Sequence, residues 1–507
     1  MSASFSCNAF KPGNNPDNLH FIRQEKSQWR DHTDYTFTPD EKAEATILFG
    51  GLTLLQDKLI ASALHSLGER YVAIPNPDFE SFRLGKAFGN RGQCNPTYFN
   101  VGNLIKHLQT LQKEKGLSSE EIIKKYLFVT AGGCGPCRFG MYITEYRKAL
   151  RDAGFEGFRI MSFEHNKGIF QALGDQSAIN FSPTFFITLA KAVIIGDIIN
   201  LLGYKMRPYE LEKGATDKAI EQCREIISKA FIHKKNLIKA MYKCRKVLKT
   251  VALNRLRPKP KVMIIGEFWA AMTEGDGNYN LHRFLEEEGA ECIPQPLINR
   301  LMLSIWEAEF TLNQTLDIEK PGQKKIDFSN LKNKLLVNAA KVALKTHFTL
   351  YSKAIGLYDF TLPDIQKLAD LSKAYYPIES SGGEGHMEVA HLIESAKENL
   401  AHLVISVKPF GCMPSSCVSD GIQSLVAGRF PSANFLAIET SGEGAANFYS
   451  RVQMALFKAK QAAKEEFESL DMPAFIPPKV HCYLYQPKTG KAGSAANIVQ
   501  SIAPKRL

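Results

Sequence analysis

TAGGCGPCRFG, Thr130 to Gly140, sets two cysteines, Cys134 and Cys137, in a glycine-rich turn. An apolar run, Tyr126 to Val129, precedes the turn, and helical sequence follows from Arg138. Strand, tight turn and helix in that order leave backbone N–H groups pointing out of the turn, where they suit an anion. Two thiols at such a place suggest a metal or redox site. Gly132, Gly133 and Gly135 keep the turn open to a bound group.

Working outward, ATILFGGLT (Ala45 to Thr53) reads as a buried strand ending in Gly50 and Gly51. A helix through Leu54, Leu55, Leu59, Ile60 and Leu64 follows, and RYVAIPNPD (Arg70 to Asp78) is the next strand. Strand-helix-strand is the pattern of a parallel sheet. GNRGQCNPTYFNVGNLIKHL (Gly89 to Leu108) carries Cys94 in a turn, with a helix beginning near Pro96. Ser118 and Glu121 form a capping box for another helix. The helix after the opening motif stops at Gly154, and FRIMSF (Phe158 to Phe163) is a further strand. These elements define a first α/β domain over 45–181, behind an irregular lead-in, 1–44, that contains Pro12, Pro16 and Pro39.

Residues 182–260 read as a helical, basic connecting segment, interrupted near Arg207 to Asp217. KVMIIGEFW (Lys261 to Trp269) then opens a second α/β domain, 261–490, with a helical insertion and a tail at 491–507. Its strand HLVISVKPF leads into a loop bearing Cys412 and Cys417, and NFLAIE (Asn434 to Glu439) is its last clear strand. The expected fold is therefore α/β, with two Rossmann/flavodoxin-like parallel-sheet domains and additional helical segments. In open sheets of this type ligands sit at the carboxyl ends of strands, where Cys134, Cys137 and Cys412 all fall.

Composition narrows the function classes. The 507 residues, 44% hydrophobic and 23% charged, suit two or more globular domains. The N-terminus has no basic start followed by an apolar run, so no secretory signal is expected. The longest apolar run, Phe185 to Leu202, is interrupted by Lys191, Asp197 and Asn200, which with Thr184 and Thr188 share roughly one helical face. It reads as an amphipathic core helix rather than a membrane span, and a cytoplasmic location is expected. Ten cysteines in a reducing compartment point to metal binding or catalysis, not a disulfide framework. Cys7, Cys223 and Cys244 are assigned no role. The net charge of +11 comes largely from lysines and arginines between Cys223 and Lys261, Arg255 among them. Without interleaved aromatics or a nucleic-acid module these read as a solvated face, then as a docking surface for an acidic partner, and only last as an RNA or DNA site.

The CxxC motif admits three chemistries: a redox dithiol, a structural zinc site and an iron-sulfur cluster. A thioredoxin-type dithiol needs no cysteines in equivalent loops elsewhere. Zinc ribbons place both cysteine pairs in one short module, whereas Cys134 and Cys137 lie far in sequence from Cys412 and Cys417. Thiolates converging from two domains on a cleft suit a cluster that a partner or substrate must reach. A zinc-stabilised or metal-free scaffold that docks a partner through its basic helices is the alternative.

Seven stretches carry a resemblance: GGL (Gly50 to Leu52), GQCNPTYFNVGN (Gly92 to Asn103), TAGGCGPCRFGMY (Thr130 to Tyr142), RPYE (Arg207 to Glu210), GEF (Gly266 to Phe268), KPFGCMPSS (Lys408 to Ser416) and FLAIE with Asn447 and Arg451. In this order they resemble the 2-hydroxyacyl-CoA dehydratase superfamily over about residues 45–465, and in particular the dehydratase-like region of large CoA-enzyme activases and their double-cubane relatives. The resemblance implies an oxygen-sensitive protein with a four-iron four-sulfur or double-cubane cluster in an interdomain cleft. It also implies a separate ATP-hydrolysing activator of the acetate-kinase/actin fold, a CoA thioester or smaller reducible substrate, and a dimer with no nucleic-acid or membrane partner. By position it makes Cys94, one or both of Cys134 and Cys137, and Cys412 iron ligands, with Cys417 either a further ligand or a small buried residue at a helix start. The chain departs from the pattern after FLAIE, where Thr440, Ser441 and Gly442 replace an expected acid and Glu443 follows. No Walker loop is present. Among other polar residues, Glu267 is a candidate catalytic group or loop cap. His386 and Glu384 in the GGEGH turn are candidates for proton donation or substrate binding, with an exposed loop histidine the commoner case. Asn447 and Arg451, one helical turn apart, could hold an anion or pair with a carboxylate.

Overall fold

The run of apolar residues in Thr46–Phe49 (β1) alternates between two cores, as a half-turn per residue demands. Ile47 joins one core and Leu48 the other. The computed structural model describes residues 44–502 except 52, 69, 133–136, 164–181, 319–327, 381–382, 432, 474, 478–479 and 481–486. All of the described residues belong to one compact unit, Thr36–Leu507.

After β1, Thr53 accepts from the Gln56 N–H and caps Leu54–His65 (α1). Tyr71–Ala73 (β2) follows, then Phe79–Phe88 (α2), Asn95–Lys115 (α3) and Ser119–Lys125 (α4), which has the expected Ser118/Glu121 capping box. Tyr126–Ala131 (β3), Tyr142–Asp152 (α5) and Ile160–Phe163 (β4) complete a first sheet of order β2-β1-β3-β4, all parallel.

Pro183–Met206 (α6), Ala215–Ile232 (α7) and Leu237–Leu248 (α8) occupy the segment expected to connect the domains. They pack onto the first sheet, sharing one core with Ile47, Leu127 and Val129. Asp197 is not on a solvated face of α6. It is buried, and accepts from the Gln56 amide at 2.6 Å and from the backbone N–H groups of Leu297 and Ile298 at 3.1 and 2.8 Å. The interruption in the apolar run is thus an internal cap for another helix. Of the helix span Pro183–Tyr209, which is long and apolar enough to cross a membrane, 61% of the apolar window is buried inside the protein.

The second sheet repeats the first. Lys261–Gly266 (β5) leads to Phe268–Met272 (α9), Leu281–Glu287 (α10) and Glu291–Ile293 (β6). Leu297–Ile318 (α11), Phe328–Ile355 (α12), Ile365–Ser372 (α13) and Gly385–Glu398 (α14) form the helical insertion. Leu403–Pro409 (β7), Met413–Cys417 (α15), Gln423–Arg429 (α16), Phe435–Thr440 (β8) and Ala445–Glu468 (α17) follow, and Ser494–Ile502 (α18) packs behind them. The order is β6-β5-β7-β8, again all parallel. Two open parallel sheets of the same order establish the α/β class.

The sheets meet through an aromatic core. Phe82 and Phe99 of the first half pack with Trp269, Tyr279 and Phe448 of the second. Phe99 and Trp269 lie 5.6 Å apart between ring centroids. The loop after α9 caps helices of the other half: the Glu274 carboxylate accepts from the Leu54 N–H at 2.9 Å and Asp276 from the Phe79 N–H at 3.0 Å. On the far side, Lys234, Lys235, Lys239, Lys243, Lys246 and Lys249 are exposed on α7–α8 and their flanks, as a solvated face requires. Arg255 departs from that reading. It is fully buried, stacked 4.4 Å over the Tyr209 ring and 3.9 Å from Glu291.

Candidate metal centre

In each sheet the order reverses between the first and third strands, which opens a crevice at their carboxyl ends. β1 and β3 are neighbours in one sheet and β5 and β7 in the other. Gly132 ends β3, Glu267 follows β5, and Gly411 and Cys412 follow β7.

Three cysteines occupy the same local position. Cys94 precedes α3 at φ −75°, ψ 155°; Cys137 precedes a 3-10 turn, Arg138–Met141, at φ −70°, ψ 136°; Cys412 precedes α15 at φ −73°, ψ 119°. Each is an extended residue directly before a helical turn, so each side chain starts beside unpaired N–H groups that favour a negative ligand. Proline at the second helical position of α3 and of α15 fixes the turn without removing a needed donor. The Cys137 thiol accepts from the Phe139 N–H at 3.4 Å, and Cys94 Sγ lies 3.2 Å from the Thr97 hydroxyl and 3.3 Å from the Tyr142 hydroxyl.

Gly411 brings the two halves together at this point. Its φ is +78°, and a Cβ there would lie 3.2 Å from the Cys94 Cα and 3.2 Å from the Gln93 carbonyl oxygen. Only glycine combines that backbone conformation with that approach. Next to it, the Asn95 N–H donates to the Phe410 carbonyl at 3.1 Å and the Asn95 amide to the Thr440 carbonyl at 2.7 Å. The Cys94 and Cys412 loops are therefore clamped against each other by a main-chain bond, with the Asn95 side chain tying the same turn to the end of β8.

Electrostatics link the thiols to a group of carboxylates. Burial pushes the Cys137 thiol up to about 11, helped by the charges of Glu267, Cys94 and Glu384 against the bond from Phe139. Burial and then Glu267 push Cys412 up to about 12, with Cys137 contributing. Without a cation these thiols stay protonated at neutral pH, and only a bound metal's charge would make them thiolates. Burial likewise raises Glu267 to about 7, despite the bond from Ala270 N–H at 2.8 Å, and raises Glu388 to about 8 with Glu384 and Glu267 adding to it. Glu384, raised by burial, pairs with Arg300 at 2.9 Å. Beside this group a cavity of about 40 Å³ is lined by residues including Gly266, Phe268, Asn299, Arg300, Glu384 and Glu388.

Several expected site residues stand elsewhere or differ in setting. Cys134, Gly133 and Gly135 lie outside the described residues, and Gly132 is buried at the end of β3. Cys417 is exposed at the end of α15, not buried at a helix start. Glu267 serves as the cap of α9, and its charge also acts on Cys137 and Cys412. His386 is not an exposed loop residue. It is 2% exposed in the first turn of α14, 5.2 Å from the Trp306 ring, and burial lowers it to about 4. Asn447 and Arg451 are exposed on α17, and Arg451 donates to the Ala437 carbonyl at 2.9 Å. Glu388 was missed by sequence reading. Its neighbours in HMEVAHL resemble any amphipathic helix, and only the fold buries it beside Ser415.

Among the described residues no three His, Cys, Asp or Glu side chains are grouped as ligands of one metal ion. The chain matches no model of a known protein family and no functionally curated protein.

Proposed function

We propose that the protein is an iron-sulfur protein of the 2-hydroxyacyl-CoA dehydratase/activase class, with its cluster held in the crevice between the two sheets. The observation that carries this reading is the shared position of Cys94, Cys137 and Cys412. Three thiols from both halves of the molecule precede helical turns, two of them clamped together at Gly411. Soft thiol donors at helix N-termini fit an anionic iron-sulfur group. Cys134, two residues beyond Gly132, is the fourth ligand in this proposal.

Such a group, when bound, stores and passes single electrons at low potential. The chain's own residues then have distinct tasks. Cys94, Cys134, Cys137 and Cys412 bind and orient it, and the helix N-termini offset its negative charge. Glu388 holds a proton at neutral pH beside Glu384 and Glu267, and so can supply one close to the crevice. In this reading a separate ATP-hydrolysing activator supplies the electron. The substrate is a 2-hydroxyacyl-CoA that loses water, or a related compound that is reduced.

Anaerobic purification tests the proposal. Brown protein with iron and acid-labile sulfide in similar amounts, and a paramagnetic resonance signal after dithionite reduction, is the expected result. Colourless protein with stoichiometric zinc and no such signal overturns it.

A further inference from the structure

We propose that Cys223 and Cys244 are a redox-active pair that closes to a disulfide joining α7 to α8. Both are fully buried, on helices packed against each other and linked by a short turn. Cys223 Sγ lies 3.7 Å from the Cys244 carbonyl oxygen, and Cys244 Sγ lies 3.7 Å from the Cys223 carbonyl oxygen. The reciprocity is the informative part. Each Cβ–Sγ bond is aimed at the other residue's backbone, so the two residues oppose each other directly. Rotation about the Cα–Cβ bonds is the motion that turns the sulfurs toward one another. The residues are 21 apart in sequence, so the bond would staple a hairpin that is already formed.

The hydrogen bond to Cys244, together with burial, pushes the Cys223 thiol far up, which makes it a poor nucleophile in the closed hairpin. Exchange therefore proceeds through local opening. The outer face of the hairpin favours that opening, because Lys239 and Lys243 lie one helical turn apart on the exposed face of α8 and repel. The oxidant is a low-molecular-weight disulfide such as oxidised glutathione. One cysteine, as thiolate, attacks it and releases one glutathione thiol; the second cysteine attacks the mixed disulfide and releases the other. Two protein thiols lose two protons and two electrons, and the glutathione disulfide is reduced to two thiols.

The proposal is independent of any cluster, since neither cysteine belongs to the crevice. The test uses the full-length protein, equilibrated anaerobically in glutathione buffers of rising oxidised fraction, approached from both reduced and oxidised protein. Samples are then unfolded in an alkylating agent and digested for mass spectrometry. The expected result is loss of both alkylated peptides and gain of a single linked Cys223–Cys244 species, lighter by two hydrogens and reversed in the reduced buffer. Cys223→Ser should leave Cys244 as a thiol or a glutathione adduct while circular dichroism is unchanged. Free thiols at both positions in the oxidised limit, separate glutathione adducts on each, or pairing with other cysteines would overturn it.

Discussion

At the scale of single residues, Gly411 carries more of the crevice than any thiol does. A side chain there meets both a positive φ and the Cys94 backbone. Gly411→Ala should cost about 1–2 kcal/mol from the backbone conformation alone. It should also push the Cys94 and Cys412 loops apart. The expected outcome is a lower melting temperature together with less iron bound per chain after anaerobic reconstitution. A stable variant with undiminished iron would show that the contact does not position the ligands. The cysteines divide in the same assay. Cys412→Ser removes a buried thiol beside Cys137 and should reduce iron content, whereas Cys417→Ser changes an exposed thiol and should leave it unaltered. The sequence made Cys94, Cys137 and Cys412 legible because each stands between an extended run or turn and a helix, a local pattern. Glu388 and the burial of His386 were not legible, because they depend on α14 lying against Trp306 and Ser415, far away in the chain.

At the scale of elements, every strand but β6 could be read, the short β2 and β4 included. β5 is apolar from Val262 to Ile265 and β7 from Leu403 to Val407 apart from Ser406, and both are buried along nearly their whole length, as expected of strands covered on both faces. β6, Glu291 to Ile293, opens on a charged residue and is followed at once by Pro294, so no apolar run marks it. The sequence likewise reads α18 as tail, because what holds it is distant. The Glu466 carboxylate on α17 accepts from the Ala492 and Gly493 N–H groups at 2.7 and 2.8 Å. It also lies 3.2 Å from His402 Nε2, while His402 Nδ1 accepts from the Lys261 N–H, which leaves Nε2 to donate. Burial works against the charge, but these bonds hold Glu466 down to about 2. A depressed carboxyl contributes its stability above its unfolded pKa and loses it as pH falls through the folded one. For Glu466 the window runs from about pH 4.5 down to about 2. Glu466→Gln should therefore cost about 1–3 kcal/mol at neutral pH and flatten the stability profile within that window. Chemical denaturation at a series of pH values measures both effects. A variant that keeps the wild-type acid slope would assign that slope to other carboxylates.

For the whole molecule, the two sheets form one cooperative structure. A single aromatic core contains Phe82 and Phe99 from one half and Trp269, Tyr279 and Phe448 from the other. Acids of the second half cap helices of the first, and Asn95 ties the start of α3 to the loop after β7 and to the end of β8. Phe99 sits in this core with no exposed surface, one and a half turns along α3 from Cys94. The same helix thus anchors the interface and presents a candidate ligand. Phe99→Ala should cost about 3–5 kcal/mol, the range for emptying a buried aromatic site. Loosening α3 against Trp269 should also displace Cys94 from Cys412, so stability and iron content should fall together. Met454→Ala, which trims a side chain 70% exposed, should change neither. Urea unfolding and iron analysis on the same preparations decide the matter. If Phe99→Ala loses stability but binds iron like the wild type, the crevice is organised by the Gly411 and Asn95 contacts alone, and the aromatic core only holds the sheets together.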